Sequence, residues 1–216
     1  MPAPSNTAPF DLEKWLAENP EPLGIVQTGH PVLRQPAAPV PQELFGTPAL
    51  AQLIERMVTA MRLAPGVGLA GPQIGVPLRV FVAEDPEERL KNLPKEVLAE
   101  RGRTPLPLTT LINPTVEGTS KDVTATFFEG CLSVRGYAAL VPRWKTVSVR
   151  GVDLSGKALA FEWAGWPARI AQHEMDHLDG TLYVDRMLTR SLTAETEYAR
   201  WSGSSVADVL RELVER

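Results

Sequence analysis

The 216-residue sequence holds very little cysteine and histidine: Cys131 is its single cysteine, and it has three histidines. One cysteine excludes an internal disulfide framework and favours a reducing compartment. No apolar run approaches the roughly 20 residues that a membrane-spanning helix needs. Residues 1–22 also lack the basic start and the apolar stretch of a secretory signal, and they contain no arginine. We therefore expect a cytoplasmic location and regard an organelle as the less favoured one.

A strong excess of either charge is missing too. The net charge is -4 and no basic patch stands out, so direct nucleic-acid binding is not expected. Hydrophobic residues at 44% and charged residues at 22% are typical of a globular domain, and the length fits one domain with extensions. We expect a loose N-terminal arm at 1–22, a main domain at 23–190 and a helical tail at 191–216.

Two of the histidines, His173 and His177, lie four residues apart in the stretch QHEMDHLDG, and Glu174 directly follows the first. On a helix this spacing puts both rings on one face, where they can bind one divalent metal ion. Glu174 lies about 100° around the same helix and can take a proton from a water on the open side of that site. The pattern predicts a helix at 165–178, ended by Gly180. The alternative is a chance HExxH match on a helix surface.

A catalytic metal usually has three protein ligands and one open position, so a third ligand is needed. The best candidate is Cys131, in the tight segment EGCLS at the end of a predicted strand. Its thiolate would complete a Cys–His–His set, and the metal would favour loss of the thiol proton. The alternative is that a lone cysteine serves as a small buried hydrophobe.

The stretch GVGLAGPQIGVP at 66–77 holds four glycines and two prolines, which predicts a loop rather than a regular element. It lacks the context of a phosphate-binding loop, so that interpretation is weak. A purely structural turn is the other alternative. Gln73 favours a functional loop, because a side-chain amide on a stiff backbone can stabilise an oxyanion.

The remaining pattern predicts an α+β fold in which short, mostly antiparallel strands pack around the central metal-binding HExxH helix. A charged segment with several prolines at 84–107 is expected to be a surface insertion. We call it the insertion segment. Helices are predicted at 11–18, 48–62, 95–101 and 206–214, strands at 78–83, 108–116, 123–128, 137–141, 145–152 and 158–163, a short strand into a turn at 24–34, and a turn at 118–121.

Taken together, GVGLAGPQ, EGCLS and QHEMDHLDG resemble the three signature motifs of the peptide deformylase family, in the same order along the chain. The resemblance covers most of the chain from about residue 29 to the segment after Gly180. It implies a metal-dependent hydrolase that removes the N-formyl group from the N-terminal methionine of newly synthesised polypeptides and releases formate. The bacterial cytoplasm is the expected compartment. The implied partners are N-formylmethionyl nascent peptides and the ribosome near its exit, without nucleic-acid or membrane binding.

The resemblance also implies roles for individual residues. Cys131, His173 and His177 would hold one divalent ion, natively Fe(II), with Zn(II), Ni(II) or Co(II) as other options. Glu174 would act as the base, and the Gln73 amide and the Leu132 N–H would stabilise the oxyanion. The substrate would contact Val67, Gly68, Trp166, Arg169 and Ile170.

Three further features of the sequence carry expectations. Gly71 stands where the family usually has alanine, and a small change in loop rigidity is expected. Trp166 and Arg169 lie in a stretch that is apolar in many members of the family, which could reshape the methionine pocket. Glu129 and Arg143 are candidates for a buried ion pair that braces the cysteine strand, with an exposed pair as the alternative.

Two other classes of protein remain as alternatives. An HExxH metallopeptidase would normally take its third ligand downstream of the helix, where no histidine occurs. A non-catalytic, metal-stabilised binding module would more often have four protein ligands.

Overall fold

The computed structural model describes residues 10–119, 123–201 and 204–215. Its strands form two antiparallel sheets, and its helices pack against them. The helices are α1 Leu12–Glu18, α2 Pro48–Leu63, α3 Glu87–Leu90, α4 Lys95–Arg101, α5 Gly165–Leu178, α6 Glu195–Tyr198 and α7 Val206–Val209. The strands are β1 Gly68–Ala70, β2 Val80–Asp85, β3 Leu106–Gly118, β4 Thr124–Cys131, β5 Val134–Trp144, β6 Thr146–Val152, β7 Ala158–Ala164 and β8 Thr193–Ala194.

The two sheets differ in size and share α5 as a neighbour. The larger sheet has the order β1-β2-β3-β6-β7, and the smaller one has the order β4-β5-β8. Helix α5 contacts β1, β2, β3, β6 and β7 of the first sheet and β5 of the second. Its apolar residues Ala168, Ala171 and Leu178 are buried in a cluster with Phe81 and Val149. The helix therefore lies where both sheets can supply side chains to one of its faces.

Local sequence explains the limits of α5. Gly165 has a positive φ of 64° and precedes Pro167, which suits the first turn of a helix. The helix ends at Leu178, and Gly180 adopts a φ of 73°, the left-handed conformation common just after a helix. The bounds predicted from the sequence, 165–178, are confirmed.

Helix α2 also follows its sequence signals. The Thr47 side chain accepts a hydrogen bond from the Leu50 N–H at the N-terminus, and Pro48 is the first helical residue. The buried stripe predicted from the spacing is confirmed: Leu50, Leu53, Ile54, Met57, Val58 and Met61 are all buried. This stripe packs on β1 and β2.

The structure corrects two predictions, a strand in residues 24–28 and an irregular Gly-rich stretch, and it shows how the strands beside the predicted turn at 118–121 pair. Residues 24–28 form no strand, because their amides bond to loop carbonyls such as Gln73 O and Ser133 O, and a 3-10 turn follows at Pro31–Arg34. The Gly-rich stretch is not wholly irregular, since β1 pairs with β2. The strands on either side of the predicted turn at 118–121 do not pair with each other: β3 pairs with β2 and β6, and β4 pairs with β5. Part of that turn lies outside the described residues.

The segments outside the main domain join the packed structure. Within the predicted loose arm, residues 1–9 lie outside the described part, but α1 packs against α2 and buries Leu12 and Leu16. At the other end, β8 pairs with β5, so the first residues of the predicted tail extend the smaller sheet. The predicted tail helix is present as α7 followed by a π-type turn to Val214. Among the described residues, no helix has the length and hydrophobicity needed to cross a membrane.

The packing of α1 generates a stability prediction. Leu16 is 5% exposed, and replacing it with alanine would leave a cavity between α1 and α2. We expect Leu16→Ala to lower the free energy of unfolding by about 2–4 kcal/mol in urea denaturation. Leu63→Ala is the control, since Leu63 is 66% exposed and its truncation should change stability by less than about 0.5 kcal/mol. Equal effects of the two substitutions would show that α1 is not docked in solution.

Candidate active site

A cavity of about 710 Å³ lies between β1, the turn that joins β4 to β5, and the N-terminal half of α5. Its lining includes the residues that the sequence singled out on all three motifs: Gln73, Cys131, Leu132, His173 and Glu174. The three motifs are distant in sequence, yet the fold brings them to one place. His177 lies one helical turn beyond His173 and is buried.

Cys131, His173 and His177 form a compact group at the base of this cavity. One potential ligand atom from each lies within 4.8 Å of the other two, and Cys131 Sγ is 3.2 Å from His177 Nε2. Cys131 is the last residue of β4, where a two-residue turn begins, so the backbone fixes the direction of its side chain. One sulfur and two imidazole nitrogens are a donor set suited to zinc or another first-row divalent metal. The donors therefore fit such an ion.

Hydrogen bonds around the group support this fit. The Ser133 N–H and the Gln73 side-chain amide both donate to Cys131 Sγ, at 3.4 and 3.6 Å, and so hold the sulfur in place. His173 Nδ1 lies 2.9 Å from Glu129 Oε2, so the other ring nitrogen is left for a ligand. At His177, Nε2 lies near the sulfur, and burial lowers the pKa of the imidazole well below its usual value.

Glu129 is the centre of a buried charge network. Its carboxylate accepts hydrogen bonds from Arg143 Nε and Nη2 at 3.0 and 2.9 Å and from Arg169 Nη1 at 2.6 Å. Arg143 also donates to Asp176 at 2.6 Å. Burial alone would raise the pKa of Glu129, but the bonds from His173 and Arg143 hold it well below its usual range. The buried Glu129–Arg143 pair predicted from the sequence is confirmed, and it is part of a larger network.

Glu174 occupies a buried position beside the metal-ligand group. It is 3% exposed, and its Oε2 has no hydrogen-bond partner among the described residues. Burial raises the pKa of Glu174 to about 7, and the neighbouring His173 acts in the opposite direction. A methyl group on Gly68 would overlap Glu174 Oε1 and would lie 2.6 Å from the carboxyl carbon. The Glu174 carboxyl group can therefore occupy this position only because residue 68 has no side chain.

A hydrogen bond to the side-chain oxygen of Gln73 fixes the orientation of its amide. Oε1 accepts a hydrogen bond from the Ala70 N–H at 2.8 Å, which fixes the amide so that Nε2 lies near Cys131 Sγ and Ser133 Oγ. Leu132 is the first residue of the two-residue turn after Cys131, and its carbonyl accepts a hydrogen bond from Gln27 Nε2 at 3.0 Å. Hydrogen bonds to neighbouring loops thus position both the Gln73 side chain and the turn.

The predicted substrate-binding residues Val67, Gly68, Trp166, Arg169 and Ile170 all line the cavity. The guanidinium of Arg169, however, is taken up by Glu129, Val141 O and Ala125 O. These acceptors hold the charged end of Arg169 inside the network, and the expectation that Trp166 and Arg169 reshape the methionine pocket stays a prediction.

The sequence did not predict several residues that line the cavity. The insertion segment contributes Arg89, Arg101 and Arg103 to the cavity, although it was expected on the surface. The tail contributes Glu195 and Tyr198, and the Tyr198 ring packs edge-on against Phe128 at 5.1 Å. No local motif marks these residues, since their position depends on how distant segments dock.

Comparisons with known proteins agree on one family. A family profile described as Polypeptide deformylase matches residues 22–192. Peptide deformylase 1 of Streptomyces coelicolor is 48% identical over 209 residues, which is 94% of this chain and 91% of that protein. Chloroplastic peptide deformylase 1A of Solanum lycopersicum is 49% identical over 167 residues, which is 77% of this chain and 60% of that protein.

A solved structure is also similar. The class I type b peptide deformylase from Acinetobacter baumannii, crystallised with Met-Ala-Ser bound, superimposes with a TM-score of 0.67 at 32% identity. The match covers 76% of this chain and 98% of that one. The fold and the order of the motifs are therefore those of this group of proteins.

The charge network generates a stability prediction. Glu129→Gln would leave Arg143 and Arg169 buried without their shared carboxylate, so we expect a loss of about 3–5 kcal/mol in the free energy of unfolding, measured in urea. Glu18→Gln is the matched control, because the side chains of the Glu18–Lys14 pair are 63% and 68% exposed and the pair should contribute far less. A loss for Glu129→Gln no larger than that of the control would contradict the role assigned to the network.

Proposed function

The chain belongs to the polypeptide deformylase family, whose members remove the N-formyl group from the N-terminal methionine of newly synthesised polypeptides, and from that premise we propose how its own residues carry out the reaction. Cys131, His173 and His177 hold one divalent metal ion, and Glu174 moves the protons. The observation that supports this most directly is the grouping of the three ligand atoms within 4.8 Å beside a buried carboxylate.

The metal site is proposed to lie on helix α5 at the centre of the fold. Two ligands come from this helix and one from the end of β4, which leaves one side for a water or a substrate oxygen. When bound, the metal supplies a Lewis acid that lowers the pKa of a water and polarises a carbonyl. We propose Fe(II) as the native ion from the family resemblance, and Zn(II), Ni(II) or Co(II) as ions that the same donors accept.

Glu174 is the proposed general base and then general acid. It takes a proton from the water that attacks the formyl carbon, and it passes that proton to the departing amine as formate leaves. Glu174 suits both steps because it is buried beside the candidate metal ligands and its Oε2 has no hydrogen-bond partner among the described residues.

The oxyanion that forms on the formyl oxygen needs hydrogen-bond donors. We assign this role to the Gln73 side-chain amide and the Leu132 N–H. The bond from the Ala70 N–H to Gln73 Oε1 supports the assignment, since it orients the amide before the substrate arrives. Val67, Gly68, Trp166 and Ile170 are the proposed contacts for the formylmethionine, and Arg169 contributes its aliphatic part.

The remaining proposals concern the setting of the enzyme. The catalytic unit is proposed to span residues 23–190, close to the family match at 22–192. The single cysteine supports a reducing compartment, for which we propose the bacterial cytoplasm. Contact with the ribosome near its exit is proposed because the substrates are nascent chains. An internal metallopeptidase is disfavoured, because the third candidate ligand, Cys131, precedes the helix.

Substitutions at the metal site distinguish residues that bind the metal from the residue that transfers protons. We expect Glu174→Ala to lower formate release from a formylmethionyl peptide by at least about 10²-fold while one metal per chain is retained. Cys131→Ala should lose the metal as well as the activity, because two imidazoles alone hold the ion weakly. Metal analysis alongside a formate assay measures both quantities. Unchanged turnover in Glu174→Ala, or full metal occupancy in Cys131→Ala, would overturn the corresponding assignment.

Gly68 provides a second test. Gly68→Ala should displace the Glu174 carboxyl and lower kcat/KM for a formylmethionyl peptide by about 10²-fold, since a small misplacement of a catalytic group is costly. Gly24→Ala is the control, because a methyl group there would meet nothing within 4 Å. If Gly68→Ala and Gly24→Ala had equal activity, the close fit between residue 68 and Glu174 would not matter for catalysis.

A further inference from the structure

The wall of the cavity carries positive charge that the described residues do not neutralise. Among the arginines that line it, Arg103 pairs with Asp85 and Arg169 pairs with Glu129. Arg89, Arg101 and Arg135 line the same cavity and form no ion pair within the described part of the chain. Among the described residues, three carboxylates line the cavity: Glu129 is already paired with Arg169, which leaves Glu174 and Glu195 to offset these cations. A bound peptide would therefore meet an excess of cations.

Arg101 is the cation with the most defined surroundings. Its guanidinium carbon lies 5.3 Å from the centre of the Trp166 ring, which is within the range of a cation–π contact. Arg101 Nε and Trp166 Nε1 are both buried, and neither has a hydrogen-bond acceptor among the described residues. Buried N–H donors normally have acceptors, so these two donors beside the cavity are available to an acceptor on a bound ligand.

The backbone around Arg101 is fixed against α5. Gly102 ends α4 with a φ of 54°, and its carbonyl accepts a hydrogen bond from the Trp166 N–H at 3.1 Å. A methyl group on Gly165 would lie 2.8 Å from the Gly102 carbonyl carbon, so only glycine permits this approach. Arg103, which follows Gly102, forms an ion pair with Asp85 of β2 at 2.7 Å, so this segment is also attached to the larger sheet. Arg101 is thus held in place before a substrate binds.

We propose that Arg101, placed over Trp166, binds a carboxylate side chain of the substrate, so that the enzyme prefers formylated peptides with Asp or Glu among the residues after the formylmethionine. This inference rests on the proposed deformylase activity. A planar guanidinium with free donors matches a carboxylate, and partial burial strengthens the attraction relative to an exposed pair. The insertion segment then acts as a specificity element.

The test uses formylmethionyl tripeptide amides that carry Glu or Gln at the second or third position, so that the side chain is the only carboxylate. For the metal-loaded wild-type protein we expect kcat/KM for the better-placed Glu peptide to exceed that of its Gln counterpart by about three- to ten-fold. The ratio should fall to about 1 in Arg101→Gln and should be partly restored in Arg101→Lys. Added salt at 0.5 M should reduce the ratio in the wild type, because it screens the pair.

Lys95→Gln is the matched control: it removes one positive charge from the same helix, and Lys95 does not line the cavity. We expect it to keep the wild-type ratio and the wild-type rate. Turnover without a Glu preference in the wild type, or an equal preference in Arg101→Gln, would overturn this inference and leave the deformylase assignment intact. An absence of turnover with every formylated peptide would instead refute the proposed function, and this inference with it.

Discussion

The structure depends most on the buried carboxylate of Glu129. It lies on β4, and it accepts hydrogen bonds from Arg143 on β5 and from Arg169 and His173 on α5. A lone ion at this depth would be strongly unfavourable, and the carboxylate is tolerated because two guanidinium groups and an imidazole surround it. The same bonds tie the smaller sheet to the helix, so the position of the cysteine strand and the orientation of His173 are set together.

This arrangement links stability to chemistry. The network continues from Arg143 to Asp176, which also pairs with the half-exposed Arg186, so a second residue of α5 is tied to the rest of the fold. The helix therefore cannot rotate without breaking several buried ion pairs at once. A rigid helix is what two histidines need in order to keep their nitrogens directed at one point.

The sequence predicted the parts of the site that local rules govern. The i, i+4 spacing of His173 and His177 and the glycine after the helix gave α5 its correct bounds, because both signals act within a few residues. The proximity of Cys131 followed from the chemical need for a third ligand. The structure agrees with that reasoning, since Cys131 Sγ lies within 4.8 Å of a potential ligand nitrogen on each histidine.

Features set by long-range docking were not predictable. The turn predicted at 118–121 does not say which strands pair: β3 and β4 lie in different sheets, and packing selects the pairing partners. Arg101 was assigned to an exposed helix on the basis of charge. Its place over Trp166 depends on the contact between Gly102 and Gly165, two residues that no periodic pattern connects. Leu16 likewise owes its burial to α2, which begins only at Pro48.

The lone sulfur of Cys131 has a practical consequence. Because the chain has no other thiol, a thiol-specific reagent can modify it at one atom only, and that atom is the proposed ligand. The rate of alkylation therefore measures how much of a preparation is metal-free, since a coordinated thiolate is shielded from electrophiles. The same property makes oxidation at a single side chain sufficient to inactivate the molecule, with no second cysteine available to form a protective intramolecular disulfide.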